Sequence, residues 1–478
     1  MAYDDIKLLI NGEWLDGEGG SEDILNPVDE SVIGQCPHAS PAQLDAALAA
    51  AAEGFKAWRN VTPIERQKVM EKAAAYLEAN VEHIGRNLTI EQGKPLGEAK
   101  LEIGFAVDVI RWYGEEGKRA YGRMIPARIP GARQIAIKEP VGPVAAFVAW
   151  NFPAVNVIRK VAGAIGAGCS IVLKPSEETP ATALAIARAF QEAGLPNGVL
   201  NVVFGAPAEV SEHLIASPII KKVSFTGSTP VGKLLQKQAA DTLKRCTMEL
   251  GGHAPFIVYD DADVEKALNA AAGFKYRNAG QVCISPTRFF VQENAYSAFV
   301  DGFAERAAAV KVGNGLDDGV AMGPLIGERR LGVMDDFVSD AVKNGAMLKT
   351  GGARIGNQGF FFQPTVLSDV PDTAKIMYEE PFGPVAPITP FKGVDDVLER
   401  ANSLPLGLAS YVFTNSGKTA KAMQDQLETG MVGVNHPGVS MPETPFGGVN
   451  ESGYGSEGGI EGLEAYQRTK FITEIDYI

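Results

Sequence analysis

The alternation of strand-like and helix-like segments in the middle of the chain constrains the fold more than any other feature. Two apolar runs, residues 144–150 and 170–174, are continuous rather than alternating, which is typical of strands buried on both faces of a parallel sheet. A helix pattern follows over 179–194, and further strands are expected at 199–203 and 222–225. This order of elements predicts an α/β fold with a doubly wound, Rossmann-type sheet that binds a nucleotide.

The flanking segments carry turn and cap signals. These are an Asn-Gly pair at 11–12 for a hairpin, Ser40-Pro41 and Thr62-Pro63 for helix starts, and an apolar periodicity over 98–113 for a third helix. Strand and helix patterns also alternate from Glu249 to about Ser440. A second α/β unit is therefore expected there.

The glycine turn after strand 222–225 has two functional interpretations. Residues 227–233 match the G-x-x-x-x-G-K pattern of a triphosphate-binding loop, but Leu234 stands where that loop needs Ser or Thr for magnesium. A dinucleotide site needs only the tight turn at Gly227 and a free helix N-terminus, to which Ser228 can add a hydroxyl. Dinucleotide binding is favoured, and a simple helix cap stays the alternative for this turn in isolation.

A second nucleotide contact is expected at Lys174, Ser176 and Glu177. They follow a buried strand at its carboxyl end, where open α/β sheets bind ligands. A carboxylate at Glu177 would accept a hydrogen bond from a ribose 2′-hydroxyl and repel a 2′-phosphate. This favours NAD over NADP, with NADP still possible. A solvated charge pair at a helix start is the alternative.

Cys283 lies between a glycine-containing turn and a Ser-Pro turn, just before a strand-like run at 287–291. Junctions of this kind expose side chains for chemistry, and a thiolate there can act as a nucleophile. Taken alone, the thiol could instead be structural, since free cysteine packs like a small hydrophobe.

Four segments together resemble the signatures of the NAD(P)-dependent aldehyde dehydrogenase superfamily. They are Trp-Asn-Phe-Pro at 150–153, Met-Glu-Leu-Gly-Gly-His at 248–253, the cysteine segment at 277–286 and Glu-Glu-Pro-Phe-Gly-Pro at 379–384. The resemblance runs from about Ile10 to the C-terminus and implies that family's fold.

The same resemblance implies a division of the chain into three parts. Residues 1–117 and 141–250 would form the NAD-binding domain, and 251–445 the catalytic domain. Residues 118–140 and 446–478 would form a β arm and C-terminal segment that join subunits into a homodimer or homotetramer. On sequence alone, 128–138 is only an amphipathic hairpin whose edge invites pairing.

The resemblance also implies roles at the reaction site. Cys283 would attack an aldehyde carbon, giving a thiohemiacetal and then a thioester. Asn151 and the Cys283 backbone N–H would hold the oxyanion, Glu249 would activate water, and Lys160 would tune the proton relay. Cofactor contacts are expected from Trp150, Lys174, Ser176, Glu177, Gly227, Ser228, Leu250, Glu380 and Phe382.

Arg159, Arg277 and Ser440 match positions where succinate-semialdehyde dehydrogenases carry two arginines and a serine that grip a remote carboxylate. A guanidinium offers a planar fork for that anion. The segments 254–255, 283–288 and 453–459 also look like the 2-oxoglutarate-semialdehyde branch. An ω-oxo acid such as succinate semialdehyde is therefore expected. Alternatives are 2-oxoglutarate or glutarate semialdehyde, or a broad range of aliphatic and aromatic aldehydes. Structural salt bridges are the alternative role for the arginines.

Composition excludes several other partners. A net charge of −14 disfavours nucleic acid and anionic membranes. Four cysteines without paired spacing and five scattered histidines predict neither a disulfide framework nor a metal site. No apolar run reaches the roughly 18–20 residues that span a bilayer, and the acidic N-terminus does not look like a signal peptide. A cytoplasmic location is the simplest expectation.

Two other classes of protein compete with this interpretation. A cysteine hydrolase could use Cys283 and Glu249, but it would leave the predicted nucleotide contacts at 174–177 and 227–228 without a role. A non-catalytic protein of the same fold would not need Asn151, Glu249 and Cys283 together.

Overall fold

The computed structural model describes residues 3–475. Met1 and Ala2, at the start of the predicted NAD-binding domain, lie outside the described residues. The same holds for residues 476–478, at the end of the predicted C-terminal segment. The elements up to residue 140 are β1 (Leu8–Ile10), β2 (Glu13–Leu15), β3 (Ser21–Leu25), β4 (Val32–Pro37), α1 (Pro41–Trp58), α2 (Pro63–Ala79), α3 (Val81–Gln92), α4 (Leu96–Glu116), β5 (Arg123–Ile125) and β6 (Ala132–Pro140).

The next elements, up to residue 250, are β7 (Val144–Phe147), α5 (Pro153–Ala167), β8 (Ile171–Lys174), α6 (Pro180–Glu192), β9 (Leu200–Val202), α7 (Pro207–Ala216), β10 (Lys222–Thr226), α8 (Thr229–Ala240) and β11 (Arg245–Glu249). The remaining elements are β12 (Ala254–Val258), α9 (Val264–Lys275), β13 (Pro286–Gln292), α10 (Glu293–Ala308), α11 (Glu328–Lys343), β14 (Met347–Thr350), β15 (Thr365–Ser368), β16 (Val385–Phe391), α12 (Val394–Ala401), β17 (Leu406–Gly407), β18 (Ala409–Phe413), α13 (Gly417–Gln426), β19 (Met431–Val434), β20 (Val449–Asn450), β21 (Gly453–Tyr454), α14 (Gly459–Glu464) and β22 (Gln467–Ile475).

The predicted helix starts are confirmed by their caps. The Ser40 hydroxyl accepts from the backbone N–H of Gln43 while the Gln43 side chain accepts from the Ser40 N–H, which is a complete capping box. Thr62 caps α2 through the Glu65 N–H. Helix α3 was not predicted, because Asn80 alone separates it from α2 and makes no side-chain cap bond.

The first sheet has the strand order β2-β1-β9-β8-β7-β10-β11-β21, with β7 to β11 parallel. The chain fills one side of β7 with β8 and β9, then crosses over to place β10 on its other side. This reversal is the switch point of a doubly wound sheet, where ligands bind at the carboxyl ends of the strands. The predicted Rossmann-type arrangement is confirmed.

One predicted strand is too long. β7 ends at Phe147 instead of continuing to Trp150, because the chain leaves the sheet after Val148, whose N–H still donates to Lys174. Trp150 and Asn151 therefore lie in the loop that leads into α5, at the switch point.

The second sheet has the order β14-β15-β16-β13-β12-β18-β19, and its pairs are parallel except β14 with β15. A separate core of apolar side chains packs around it. The turn before β13 carries Cys283 at the amino end of that strand.

A third sheet, β22-β6-β5, stands apart from the two cores. β22 pairs with β6 over nine residues, from Gln467 opposite Pro140 to Ile475 opposite Ala132. Before it reaches β22, the chain adds β21 to the first sheet beside β11. Within residues 3–475, no helix is long and apolar enough to cross a membrane.

Gly453→Ala is expected to destabilise the fold. Gly453 has a φ of +113°, and a Cβ there would lie 1.8 Å from the carbonyl oxygen of Met248 on β11. The free energy of unfolding should fall by roughly 2–4 kcal/mol. Gly104→Ala is the matched control. Gly104 lies on the exposed side of α4 with no heavy atom within 4 Å of the added Cβ, so its gain in helix propensity should add about 0.5–1 kcal/mol. Denaturant titration of both variants measures the difference, and equal midpoints would contradict this account of β21.

Candidate active site

A cavity of about 860 Å³ opens where the loops after β7, β10 and β11 meet the turn before β13. Most of the predicted site residues line it: Trp150, Asn151, Arg159, Gly227, Ser228, Glu249, Leu250, Arg277, Cys283, Glu380, Phe382 and Ser440. Four do not. Lys160 lies behind the wall, bonded to residues that line the cavity, whereas Lys174 ends β8 and Ser176 and Glu177 follow it.

Cys283 is presented by a strained turn. Asn278, Ala279 and Gly280 have φ angles of +48°, +52° and +72°, a left-handed conformation that residues other than glycine adopt at a cost. Glycine is required at 280, since a Cβ there would lie 2.2 Å from the carbonyl oxygen of Gly383. Buried surroundings hold all three residues, so the turn presents the thiol in a fixed place.

The Cys283 thiol is held in its neutral form. Burial, followed by the negative charges of Glu380 and Glu249, raises its pKa to about 12, while Arg159 opposes the shift. A thiol with this pKa needs a base to remove its proton before it can attack a carbon atom.

Glu249, the last residue of β11, places such a base in the same cavity. The residue is 3% exposed, and neither carboxyl oxygen has a hydrogen-bond partner within residues 3–475. Burial, and then the charge of Glu457, raises the pKa of Glu249 well above its usual value, while Lys160 and Arg159 lower it. An unpartnered buried carboxyl is costly, and such groups occur where chemistry uses them.

Asn151 also lines this cavity, and two hydrogen bonds hold its side-chain amide in place. Its Nδ2 donates to the Gln281 carbonyl over 3.1 Å, and its Oδ1 accepts from Asn156 over 3.1 Å. A primary amide has two N–H groups, and the second one has no other acceptor among the described residues. It is free to face the cavity that Cys283 lines.

Lys160 forms a buried ion pair with Glu457 and donates to the Thr226 hydroxyl over 2.6 Å. Lys160 is predicted from the sequence, whereas Glu457 is not. Glu457 is the single acid in the segment 453–459 and has no pattern of its own. Only the return of the chain through β21 brings it beside Glu249.

The opposite wall carries the predicted anion site. Arg159, 3% exposed, donates to the Ser440 hydroxyl over 2.8 Å and to the Glu457 carbonyl over 3.1 Å. Arg277 is half-buried, its guanidinium 5.1 Å from the ring centre of Phe152, and it has no hydrogen-bond partner within the described residues. One arginine is therefore fixed, and the other has its donors free.

The dinucleotide side is built on β8 and β10. Lys174 and Glu177 form an ion pair of 2.5 Å, and the Gly205 N–H also donates to Glu177. The Ser176 hydroxyl accepts from the Glu178 N–H. After β10, Ser228 precedes α8 without capping it through its side chain, so the first N–H groups of that helix keep their donors free.

Trp150 and Phe382 meet edge to face at 5.6 Å across the same side of the cavity. Glu380 accepts from the Gly252 N–H over 3.3 Å, and burial raises its pKa to about 8. A Cβ at Gly251 would lie 2.6 Å from the Glu380 carboxylate, so a larger residue there would displace this carboxylate. No group of three or more metal-ligating side chains is found between residues 3 and 475.

The fold and the cavity together define a class: a two-sheet α/β enzyme with a thiol and a buried carboxyl beside a Rossmann-type crevice. Comparison with known proteins gives the family. The model of the aldehyde dehydrogenase family matches residues 14–472, and the chain belongs to that family of oxidoreductases.

The chain is 48% identical over 467 residues to a putative 4-(hydroxymethyl)benzenesulfonate dehydrogenase of Comamonas testosteroni, covering 98% of this chain and 97% of the relative. It is 42% identical to the NADP-dependent succinate-semialdehyde dehydrogenase of Escherichia coli, with the same coverage. The crystal structure of an NADP-dependent E. coli enzyme superposes with a TM-score of 0.97 at 42% identity, covering 98% of both chains.

Alkylation of Cys283 by iodoacetamide in the ligand-free protein should accelerate about tenfold per pH unit between roughly pH 7 and 9, because a pKa of about 12 keeps the thiolate fraction small throughout. Peptide mass spectrometry measures the rate at this residue, and Cys283→Ser gives the background from the other cysteines. A plateau within this range would show that the thiol ionises far more readily than its surroundings imply.

Proposed function

We propose that the protein oxidises an aldehyde to a carboxylic acid, using NAD or NADP and water. The observation that carries this proposal is the pairing, in one cavity, of the Cys283 thiol with the unpartnered buried carboxyl of Glu249. Asn151 supplies an aimed amide beside them. A structural cysteine would not need a costly carboxyl beside it.

In the proposed reaction, Glu249, Cys283 and Asn151 transfer protons and stabilise charge in successive steps. Glu249 takes the thiol proton as Cys283 adds to the aldehyde carbon, and the carbonyl oxygen becomes an oxyanion. The free N–H of Asn151 and the Cys283 backbone N–H stabilise that oxyanion. The dinucleotide, when bound, supplies the acceptor for the hydride that leaves the carbon. Once Glu249 has lost the thiol proton, it takes a proton from the water that cleaves the thioester, and that proton passes to the Cys283 sulfur as it leaves.

Lys160 and Glu457 form the proposed route for Glu249 to lose its proton again. The cationic Lys160 lowers the pKa of Glu249, and Glu457 raises it. The ion pair between them lies behind Glu249 with Thr226 as a further bonded group. The balance of the two charges sets how readily Glu249 exchanges a proton.

The residues present fit a dinucleotide. The uncapped start of α8 can receive the pyrophosphate, and Gly227, Ser228 and Leu250 line that part of the cavity. Lys174 and Glu177 would hold the adenosine ribose, with Ser176 beside them. Trp150, Glu380 and Phe382 would hold the nicotinamide end.

NAD is the proposed preference, because the fixed Glu177 carboxylate accepts from a 2′-hydroxyl and repels a 2′-phosphate. NADP stays possible, since the E. coli relative carries NADP in its name and Lys174 could attract a phosphate.

Glu177→Gln should shift the ratio of kcat/KM for NADP over NAD upward by roughly tenfold. The change removes the repelling charge and frees Lys174 from its ion pair. Steady-state kinetics with each cofactor gives the ratio, and Glu178→Gln, the neighbouring half-buried acid paired with Arg329, is the matched control. An unchanged ratio in Glu177→Gln would remove this residue from cofactor selection.

We infer that the substrate carries an anionic group at the end away from the aldehyde. Arg159 and Ser440 form one fixed contact for it, and the free guanidinium of Arg277 forms the other. An ω-oxo acid such as succinate semialdehyde is the first candidate. A sulfonate is the second, because the relative at 48% identity is named for a benzenesulfonate and phenylalanines 105, 152, 274 and 446 line the cavity.

A panel of aldehydes tests the proposed function: succinate, glutarate and 2-oxoglutarate semialdehydes, 4-formylbenzenesulfonate, benzaldehyde and butanal, each with NAD and NADP. Reduction of neither cofactor with any aldehyde would refute it.

Arg277→Ala should raise KM for the preferred anionic aldehyde by roughly ten- to a hundredfold, the loss of a charged hydrogen bond of about 1.5–3 kcal/mol. Its KM for butanal should stay within about twofold.

Arg277→Lys is the companion variant, since it keeps the charge but loses the planar fork. It should lie between wild type and Arg277→Ala. Equal effects of Arg277→Ala on charged and uncharged aldehydes would assign Arg277 a structural role.

The predicted division of the chain remains part of this proposal, with residues 1–117 and 141–250 around the first sheet and 251–445 around the second. The arm of 118–140 and 446–478 is proposed to join two or four copies. The unpaired edge of β22 and the exposed side chains of Tyr121, Met124 and Phe471 support it.

A further inference from the structure

The backbone carbonyl of Asn151 is held by two separate donors. Lys94 Nζ and Asn278 Nδ2 each donate to this oxygen over 2.9 Å. Lys94 and Asn278 are almost fully buried, and neither lines the cavity. The loop that carries the proposed oxyanion donor is therefore fixed from behind.

Asn278 also ties this loop to the turn of Cys283. Its Nδ2 donates to the Gln281 carbonyl over 3.2 Å, the same oxygen that accepts from the Asn151 side chain. Because both partners are carbonyl oxygens, the group that faces them must be the amide nitrogen. One side chain thus spans the two segments that supply the two proposed oxyanion donors, the Asn151 amide and the Cys283 N–H.

Lys94 is held by a buried partner of its own. Its ammonium forms a 2.5 Å ion pair with Glu102, and both side chains are 1% exposed. The other Glu102 oxygen accepts from the Ala154 and Val155 N–H groups at the start of α5. The pair thereby joins the carbonyl of Asn151 to the first turn of the helix that follows it.

We propose that Asn278 and Lys94 are positioning residues that hold the Asn151 amide and the Cys283 N–H at the spacing an oxyanion requires. The proposal rests on the proposed function. The two residues touch neither substrate nor cofactor, so their contribution is to kcat rather than to the KM of either. Donors misplaced by about 1 Å lose on the order of a hundredfold in rate, and loss of a donor itself costs about 10²–10³.

The strained turn offers a matched pair of variants. Asn278 and Ala279 are adjacent and both left-handed, so glycine relieves the same strain at either position. Asn278→Gly removes the bridging amide, whereas Ala279→Gly removes only a methyl group. The proposal expects kcat to fall at least tenfold further in Asn278→Gly than in Ala279→Gly, with the KM of NAD unchanged in both.

Alkylation separates support of the oxyanion from support of the thiol. Attack of Cys283 on iodoacetamide forms no oxyanion, so its rate should be the same in Asn278→Gly, Ala279→Gly and wild type. Equal kcat in the two glycine variants, or a parallel loss of alkylation and kcat in Asn278→Gly, would overturn the proposal. If wild type itself reduces no cofactor with any aldehyde, the proposed function fails instead.

A double-mutant cycle gives the decisive number. Because Asn278 is proposed to hold the Asn151 amide as well as the Cys283 N–H, the loss caused by Asn278→Gly should be smaller in an Asn151→Ala background, where only the effect on the Cys283 N–H remains. Full multiplication of the two losses would assign Asn278 a separate role.

The double variant Lys94→Met/Glu102→Gln tests the other donor without leaving one buried charge alone, and it should lower kcat with the KM of NAD unchanged. A change in that KM equal to the change in kcat would overturn the role of Lys94.

Discussion

The arrangement of the active site depends on a buried ion pair between Lys160 and Glu457. Lys160 belongs to α5, and Glu457 lies 297 residues later in the C-terminal segment. Either charge alone would be costly in this interior, by several kcal/mol. The pair therefore holds the C-terminal segment against the first sheet. The Glu457 carbonyl in turn fixes Arg159, and the two charges set the pKa of Glu249 from opposite directions.

Three ionisable side chains that line the cavity have a raised pKa. Burial raises the pKa of Cys283, Glu249 and Glu380, and the negative charges of Glu380 and Glu249 raise the pKa of Cys283 further. In the proposed reaction, the cavity therefore favours moving one proton from thiol to carboxyl over holding two anions at once. An oxyanion formed in such surroundings has few other partners, so the N–H donors of Asn151 and Cys283 matter for its stability.

Much of this could be predicted from the sequence. The continuous apolar runs gave the parallel sheet, and the turns around Cys283 and Gly227 marked the edge where ligands bind. The residues that fell outside prediction are those whose importance comes from partners far along the chain. Lys94 meets Asn151 across 57 residues, and Asn278 meets it across 127. A single lysine or asparagine has no period or motif of its own, so only folding shows what it touches. The end of β7 at Phe147 was not predicted, because the apolar residues of the loop that follows it show the same pattern as a buried strand.

Residues 458–466 connect two fixed points. At one end Glu457 is locked to Lys160, and at the other β22 is locked to β6 over nine paired residues. A change of length in this stretch would have to shift either the charge beside the Glu249 carboxyl or the register of β22 on β6, where a one-residue slip turns every side chain to the opposite face. Exposed loop tips elsewhere can vary in length without moving either of these two points. Divergence among descendants of this chain is thus expected to leave 458–466 without insertions or deletions, even where the individual side chains drift.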